Sequence, residues 1–141
     1  MSHDAHIQTE VVSPGCLDSL TRRSQADFEI EFYERIRERN PHNIDVLLVL
    51  GDLFAEKKCH RRALQVDLKL AQLLPTSPLV FYNLACSHAL TGQILESLAA
   101  LKQAVAVGFN DFDHLEQDAD LEAVRQHPEF AAVIAGAKTR G

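Results

Sequence analysis

Two consecutive stretches of sequence decide the fold: Ile44–Ser77 (IDVLLVLGDLFAEKKCHRRALQVDLKLAQLLPTS) and Pro78–Asp111 (PLVFYNLACSHALTGQILESLAALKQAVAVGFND). Aligned at an offset of 34 residues, they carry small and apolar side chains at matching positions. The matched pairs are Leu47/Phe81, Leu50/Leu84, Gly51/Ala85, Ala63/Ser97, Leu70/Ala104 and Pro75/Phe109. Each stretch contains two apolar segments of 3.6-residue period with a polar break between them, which predicts two helices. A period in the thirties built from helix pairs predicts a helical solenoid.

The spacing of these residues resembles the tetratricopeptide repeat (TPR). The first copy of the motif is Leu47-x2-Leu50-Gly51-x2-Phe54, followed by Ala63 and Pro75. The second copy consists of Phe81-Tyr82-Asn83-Leu84-Ala85, Gly92 and Phe109, in register with the first. The resemblance implies a right-handed solenoid of helical hairpins, in which small residues let paired helices approach closely. It also implies a concave groove, lined by the first helix of each repeat, that binds segments of partner proteins.

The whole chain is predicted to be all-α. Residues 1–12 show no usable period and are expected to form a flexible tail, followed by a single TPR-like domain over 13–141. This domain comprises a degenerate first repeat (13–43), two full repeats (44–77 and 78–110) and a C-terminal helical cap (111–141). The expected helices are Gly15–Arg23, Gln25–Arg39, Asn43–Glu56, His60–Leu74, Pro78–Thr91, Ile94–Val107, Asp111–Gln117, Ala119–Gln126 and Pro128–Gly136. The buried set of the cap is expected to be Leu115, Leu121, Val124, Phe130 and Ile134.

Composition narrows the class of protein. The 141 residues are 46% hydrophobic, enough for one core, and the net charge of −6 argues against general nucleic-acid binding. No run of 18 apolar residues suggests a membrane span, and the N-terminal residues do not resemble a secretion signal. The three cysteines, Cys16, Cys59 and Cys86, lack any CxxC spacing. Their odd number favours reduced thiols in a cytoplasmic protein.

Motifs for catalysis, metals and cofactors are missing from the sequence. There is no Gly-x-Ser-x-Gly, no phosphate-binding glycine loop and no His-Glu-x2-His. The expectation is therefore a protein that is not an enzyme and binds no cofactor and no metal. Acidic residues crowd the start of the cap, and helix capping is their expected role because carboxylates stabilise helix N-termini. These residues are Asp111, Asp113, Glu116, Asp118, Asp120 and Glu122.

The groove implied by the resemblance is the first candidate site. Its lining positions, taken from the repeat register, are Asp45, Leu48, Val49, Asp52, Leu79, Tyr82, Asn83 and Cys86. Asn83 offers the amide donor and acceptor that pair with a peptide backbone. Asp45, Leu48 and Leu79 stand where some TPR proteins use cations to clamp a terminal carboxylate. The face is therefore expected to suit an apolar or basic segment.

A basic run between the helices of the first full repeat is the second candidate site. Lys57, Lys58, Arg61 and Arg62 lie within six residues and could form a docking loop for an acidic partner. Because the cap is acidic, the same run also permits self-association.

The predicted function is a non-catalytic protein–protein interaction adaptor or assembly factor that binds a partner through the groove. The alternative is a structural subunit that decorates or cross-links a cytoplasmic polymer, such as a bacterial cytoskeletal filament.

One pairing is also predicted inside the fold. Asp67 and His88 both replace apolar residues of the repeat pattern, and a buried charge needs a partner, so the two side chains are expected to meet.

Overall fold

The computed structural model describes residues 24–140 of the chain, which form helices joined by short turns, with no strand among them. The predicted tail (1–12) and the predicted helix Gly15–Arg23 lie outside the described residues. The helices are α1 (Gln25–Arg39), α2 (Ile44–Glu56), α3 (His60–Leu73), α4 (Pro78–Leu90), α5 (Ile94–Ala106), α6 (Phe112–Gln117), α7 (Glu122–Arg125) and α8 (Pro128–Arg140). A 3-10 turn, Ala119–Leu121, lies between α6 and α7. The all-α prediction is confirmed for these residues.

The 34-residue period of the sequence is present in the helix boundaries. Helices α2 and α4 each contain 13 residues and begin at Ile44 and Pro78, while α3 and α5 begin at His60 and Ile94. Their N-caps repeat as well. Asn43 Oδ1 accepts from the amide of Val46 at 3.1 Å, and Ser77 Oγ accepts from the amide of Val80 at 3.3 Å. Each cap satisfies one of the amides that a helix start leaves without a partner.

The turns between the paired helices also match. Lys58 and Gly92 occupy equivalent positions, and both have positive φ, 59° and 81°. In each turn, the amide of the residue after the positive-φ position donates to a carbonyl of the preceding helix. Cys59 donates to the Phe54 carbonyl and Gln93 to the His88 carbonyl, both at 2.8 Å. The left-handed residue lets the chain reverse within three residues.

The chain divides into two compact units, Met1–Val66 and Asp67–Gly141, with the division inside α3. In the described part of the N-terminal unit, α1 packs against α2. A capping box starts α1, in which Ser24 Oγ accepts from the amide of Asp27 and the Asp27 carboxylate accepts from the amide of Ser24. The buried residues of α1 are Ala26 and Asp27, whereas Phe32 is 58% exposed.

The C-terminal unit is built around the α4–α5 pair, with the 3-10 turn packed on α4 and with α7 and α8 packed on α5. Helices α4 and α5 approach closely at two small residues, Ala85 and Ser97. There the hydroxyl of the buried Ser97 donates to the Ala85 carbonyl at 2.7 Å. Gly108, which follows α5, has a positive φ of 121°. The buried set predicted for the cap is confirmed: Leu115, Leu121, Val124, Phe130 and Ile134. None of the helices described for this chain is both long and apolar enough to cross a membrane.

Candidate functional site

The groove positions on α2, in the N-terminal unit, form an open face. Asp45, Leu48 and Asp52 are exposed, and Leu48 keeps 39% of its surface accessible. Their spacing of three and four residues places them along one side of the helix. Val49 is half-buried at the edge of this side. The α2 face, defined as Asp45, Leu48 and Asp52, thus combines two carboxylates with an accessible leucine.

The equivalent positions on α4, in the C-terminal unit, differ in accessibility. Leu79 is 61% exposed and Asn83 is half-buried, but Tyr82 and Cys86 are only 4% and 8% exposed. The segment that follows Phe109 covers these two side chains. Of the four groove positions on α4, only Leu79 and Asn83 therefore remain accessible to a partner.

Tyr82 is held by the C-terminal segment through its ring and its hydroxyl. The ring stacks on Phe109, with centroids 4.6 Å apart and planes 6° from parallel. The hydroxyl donates to Asp118 Oδ2 in a short hydrogen bond. Burial and then this hydrogen bond raise the pKa of the Tyr82 hydroxyl well above its usual range. Tyr82 therefore anchors the cap instead of lining an open groove.

Asp118 gathers three further side chains around it. Cys86 Sγ lies 3.9 Å from Asp118 Oδ2, and His114 Nε2 lies 3.3 Å from the same oxygen. The sulfur of Cys86 and carboxylate oxygens of Asp118 and Asp120 all lie within 4.8 Å of one another. Burial, followed by these two carboxylates, raises the pKa of the Cys86 thiol above its usual range. This set, called here the Asp118 cluster, consists of Cys86, His114, Asp118 and Asp120.

The sequence analysis missed the Asp118 cluster as a unit. Cys86 comes from α4 and the carboxylates from a segment more than thirty residues later, so no local motif joins them. Only the His114–Asp118 spacing of four residues is a local signal. The capping role predicted for the acidic residues is confirmed at two positions. Asp111 Oδ1 accepts from the His114 amide at 3.2 Å, and Asp118 Oδ1 accepts from the Asp120 amide at 2.9 Å.

Lys57, the first residue of the predicted basic docking loop, makes internal contacts in the N-terminal unit. Its Nζ lies 3.3 Å from Asp27 Oδ1 and donates to Ser24 Oγ at 3.1 Å. Burial raises the pKa of Asp27, but the Ser24 amide and Lys57 outweigh it, so the net pKa is lowered. Lys57 is therefore a fixed part of the α1–α2 packing.

Arg62 is a second internally engaged cation of this loop. Its guanidinium lies 3.1 Å from Glu34 Oε2 and 4.9 Å from the centre of the Phe54 ring. Lys58 and Arg61 have exposed side chains. The accessible charge of the docking loop is thus about half of what the sequence suggests.

The predicted pairing of Asp67 with His88 is wrong. Asp67 Oδ2 accepts a hydrogen bond from the hydroxyl of Ser87 at 2.6 Å, and both residues are buried. His88 Nδ1 instead lies 2.6 Å from Gln93 Oε1, in the turn after α4. Successive residues of a helix point about 100° apart, so Ser87 and His88 cannot both face Asp67. Asp67 does make a buried polar contact, but its partner is Ser87, the residue before the predicted His88.

The cysteines differ in state. Cys59 is disulfide-bonded, whereas Cys86 is a free, buried thiol. The prediction of reduced thiols is confirmed for Cys86 and wrong for Cys59. Cysteine usage therefore gives no support to a cytoplasmic location.

Comparison with known proteins yields a partial similarity. No protein-family model matches the chain. The chain is 37% identical over 53 residues to a protein of Arabidopsis thaliana whose name describes it as chloroplastic. The matched region covers 38% of this chain and 16% of the length of that protein. This chain is therefore similar to a short part of a chloroplast protein.

Proposed function

We propose that the protein is a non-catalytic interaction module of the TPR type, which binds a segment of a partner protein through the α2 face. Two properties support a TPR-type arrangement: the resemblance of the repeated motif and the 34-residue period of the helix boundaries. In such a solenoid the first helix of each repeat lines the concave side. Helix α2 is the first helix of the first full repeat.

The observation that carries the proposal is the contrast in accessibility between α2 and α4. At equivalent positions, Leu48 is exposed and Tyr82 is buried, and Asp52 is exposed and Cys86 is buried. The α2 face therefore keeps its central position accessible, whereas α4 keeps only Leu79 and Asn83 accessible among the predicted groove positions.

The chemistry of the α2 face indicates the kind of segment it binds. Asp45 and Asp52 lie one on each side of Leu48, so the face presents negative charge around an apolar centre. A matching segment carries an apolar side chain between lysines or arginines. Carboxylates paired with arginine contribute direction as well as attraction. Exposed charges contribute mainly to association rate and specificity.

A peptide-binding experiment on the full chain tests the proposal. Peptides selected from a random library should contain an apolar residue flanked by Lys or Arg. The double substitution Asp45→Asn with Asp52→Asn should slow their association, and the dependence of the rate on salt should decrease, because exposed charges are screened over about 10 Å at 0.1 M.

The matched control neutralises two exposed carboxylates of the C-terminal unit, Asp113→Asn with Glu122→Gln. It changes the net charge of the chain by the same amount and should leave peptide association as it is. If association slows equally in both double variants, the effect comes from the net charge of the chain, and this would contradict a site on α2. Selected peptides without basic residues would contradict it as well.

A further inference from the structure

The Asp118 cluster brings sulfur, nitrogen and oxygen atoms from separate elements to one place. Cys86 lies on α4, His114 on α6, and Asp118 and Asp120 at the start of the 3-10 turn. All four are side chains that bind transition metals, and the set mixes soft and harder donors. Three of the four have ligand atoms within 4.8 Å of one another: Cys86, Asp118 and Asp120.

Two separations in the cluster, both measured from Asp118 Oδ2, are close to the edges of a tetrahedron around one ion. With metal distances of about 2.0 Å for nitrogen or oxygen and about 2.3 Å for sulfur, tetrahedral geometry places ligand atoms about 3.3 Å (N and O) or about 3.5 Å (S and O) apart. The His114 Nε2 to Asp118 Oδ2 distance is 3.3 Å. The Cys86 Sγ to Asp118 Oδ2 distance is 3.9 Å. His114 lies outside the set within 4.8 Å, so a shared ion requires its side chain to turn toward the other three.

The surroundings hold Asp118 in place. The Tyr82 hydroxyl donates to its Oδ2, and Arg125 Nη1 donates to the carbonyls of Asp118 at 2.7 Å and Leu115 at 3.3 Å. Hydrogen bonds of this kind, made to ligands and to the backbone around them, orient metal ligands in known sites. His114 is more than half exposed, which leaves the imidazole free to rotate toward an ion that enters from solvent.

We propose that Cys86, His114, Asp118 and Asp120 bind a divalent transition-metal ion of the zinc class. The two carboxylates concentrate negative potential beside the buried thiol, and a divalent cation compensates it. On binding, the metal–sulfur bond forms as the S–H bond of Cys86 breaks, and the proton passes to the buffer. No electron transfer is involved. The ion ties the C-terminal segment to α4 beside the Tyr82–Asp118 contact.

Cobalt(II) is the probe for the test, because a tetrahedral cobalt–thiolate centre absorbs in both the visible and the near-ultraviolet ranges. The full chain, freed of metal by a chelator and titrated with Co²⁺, should give both bands at one ion per chain. Zn²⁺ added afterwards should remove them. Cys86→Ser should abolish the thiolate band, and Tyr82→Phe should weaken Co²⁺ binding on the order of tenfold, as loss of a hydrogen bond to a ligand does.

Two further variants keep the test decisive if Cys86→Ser does not fold. Asp120→Asn changes an exposed carboxylate of the cluster and should weaken Co²⁺ binding at least tenfold without loss of helicity in circular dichroism. Asp113→Asn changes an exposed carboxylate of α6 outside the cluster and should leave binding as in the unsubstituted chain. Absence of the thiolate band in the folded chain, or equal binding by both variants, would overturn the proposal.

Discussion

The helices of the α2–α3 pair and of the α4–α5 pair begin 34 residues apart. The two pairs differ in the burial of one helix face. Leu48 and Tyr82 are equivalent in the repeat, yet Leu48 is exposed and Tyr82 is buried beneath the C-terminal segment. The difference shows that the repeat determines where helices begin and end, while flanking segments determine which faces stay open. In repeat proteins in general, an atypical segment covers the apolar surface of the last repeat.

The largest expected effect tests this contrast directly. Tyr82→Ala should lower the free energy of unfolding by about 3 kcal/mol, because it removes a buried, stacked ring and leaves a cavity. Leu48→Ala, at the equivalent position, should cost less than about 0.5 kcal/mol, as is usual for surface sites. Urea unfolding followed by circular dichroism measures both values. Similar losses at the two positions would show that the faces do not differ in burial.

A smaller effect is expected where the two pairs differ in a buried residue. Asp67 of α3 is equivalent to the buried Leu101 of α5, and it accepts from the Ser87 hydroxyl. Ser87→Ala should destabilise the fold by about 2 kcal/mol, because it removes a donor from a buried carboxylate. Ser97→Ala, which removes a donor to a neutral carbonyl, is the matched control and should cost about 1 kcal/mol. A smaller loss for Ser87→Ala than for Ser97→Ala would contradict the importance of the buried carboxyl acceptor.

The turns offer a third comparison, at Lys58 and Gly92. A left-handed conformation costs a residue with a side chain about 1 kcal/mol relative to glycine. Gly92→Ala should therefore destabilise by about that amount, since an added Cβ meets no atom within 4 Å and only the backbone is strained. Lys58→Gly should stabilise by up to about 1 kcal/mol.

Thermal unfolding measures both turn variants. Lys58→Ala keeps the strained backbone and removes most of the side chain, so it separates the contacts of the lysine from its conformation. If Lys58→Gly and Lys58→Ala change stability equally, backbone strain is not the cause.

The last comparison concerns the contacts that fix each turn. Lys57 pairs with the buried Asp27, whereas the equivalent Thr91 donates its hydroxyl to the Ser87 and His88 carbonyls. The pKa of Asp27 is lowered in the folded chain. Its contribution to stability is therefore present above the unfolded value of about 3.9 and is lost as pH falls through the folded value.

Acid unfolding monitored by circular dichroism tests this contribution. Asp27→Asn should flatten the loss of stability below about pH 4, because the remaining amide does not titrate. The exposed Asp113→Asn serves as control and should keep the slope. An unchanged slope in Asp27→Asn would assign the acid sensitivity to other carboxylates.

The sequence alone predicts most of the helical layout. Periodicity and caps place α1, α2 and α4 within one or two residues of their observed ends, because these signals act within a single helix turn. The buried residues of the cap are also predictable, since leucine, valine, phenylalanine and isoleucine recur at helical spacing. Local chemistry is sufficient for these features.

The accessibility of the sites is not predictable in the same way. Tyr82 and Cys86 have the register of groove residues, but a segment beyond the repeat covers them. Lys57 looks like surface charge, yet its partner Asp27 lies thirty residues earlier and is buried by helix packing. The contact between Asp67 and Ser87 depends on a rotation of about 100° between neighbouring residues, which a repeat alignment cannot resolve. Each miss involves residues distant in sequence.

The stacking of Tyr82 on Phe109 also gives the molecule an internal optical reporter. The chain has no tryptophan and two tyrosines, so near-ultraviolet signals come from few rings. The Tyr82 ring is packed against Phe109, and its hydroxyl is bonded to Asp118. Near-ultraviolet dichroism from this ring therefore disappears when the C-terminal segment leaves α4, even if the helices persist. The raised pKa of Tyr82 should return toward its usual range on that departure, so tyrosinate absorbance at alkaline pH also reports detachment in the unlabelled chain.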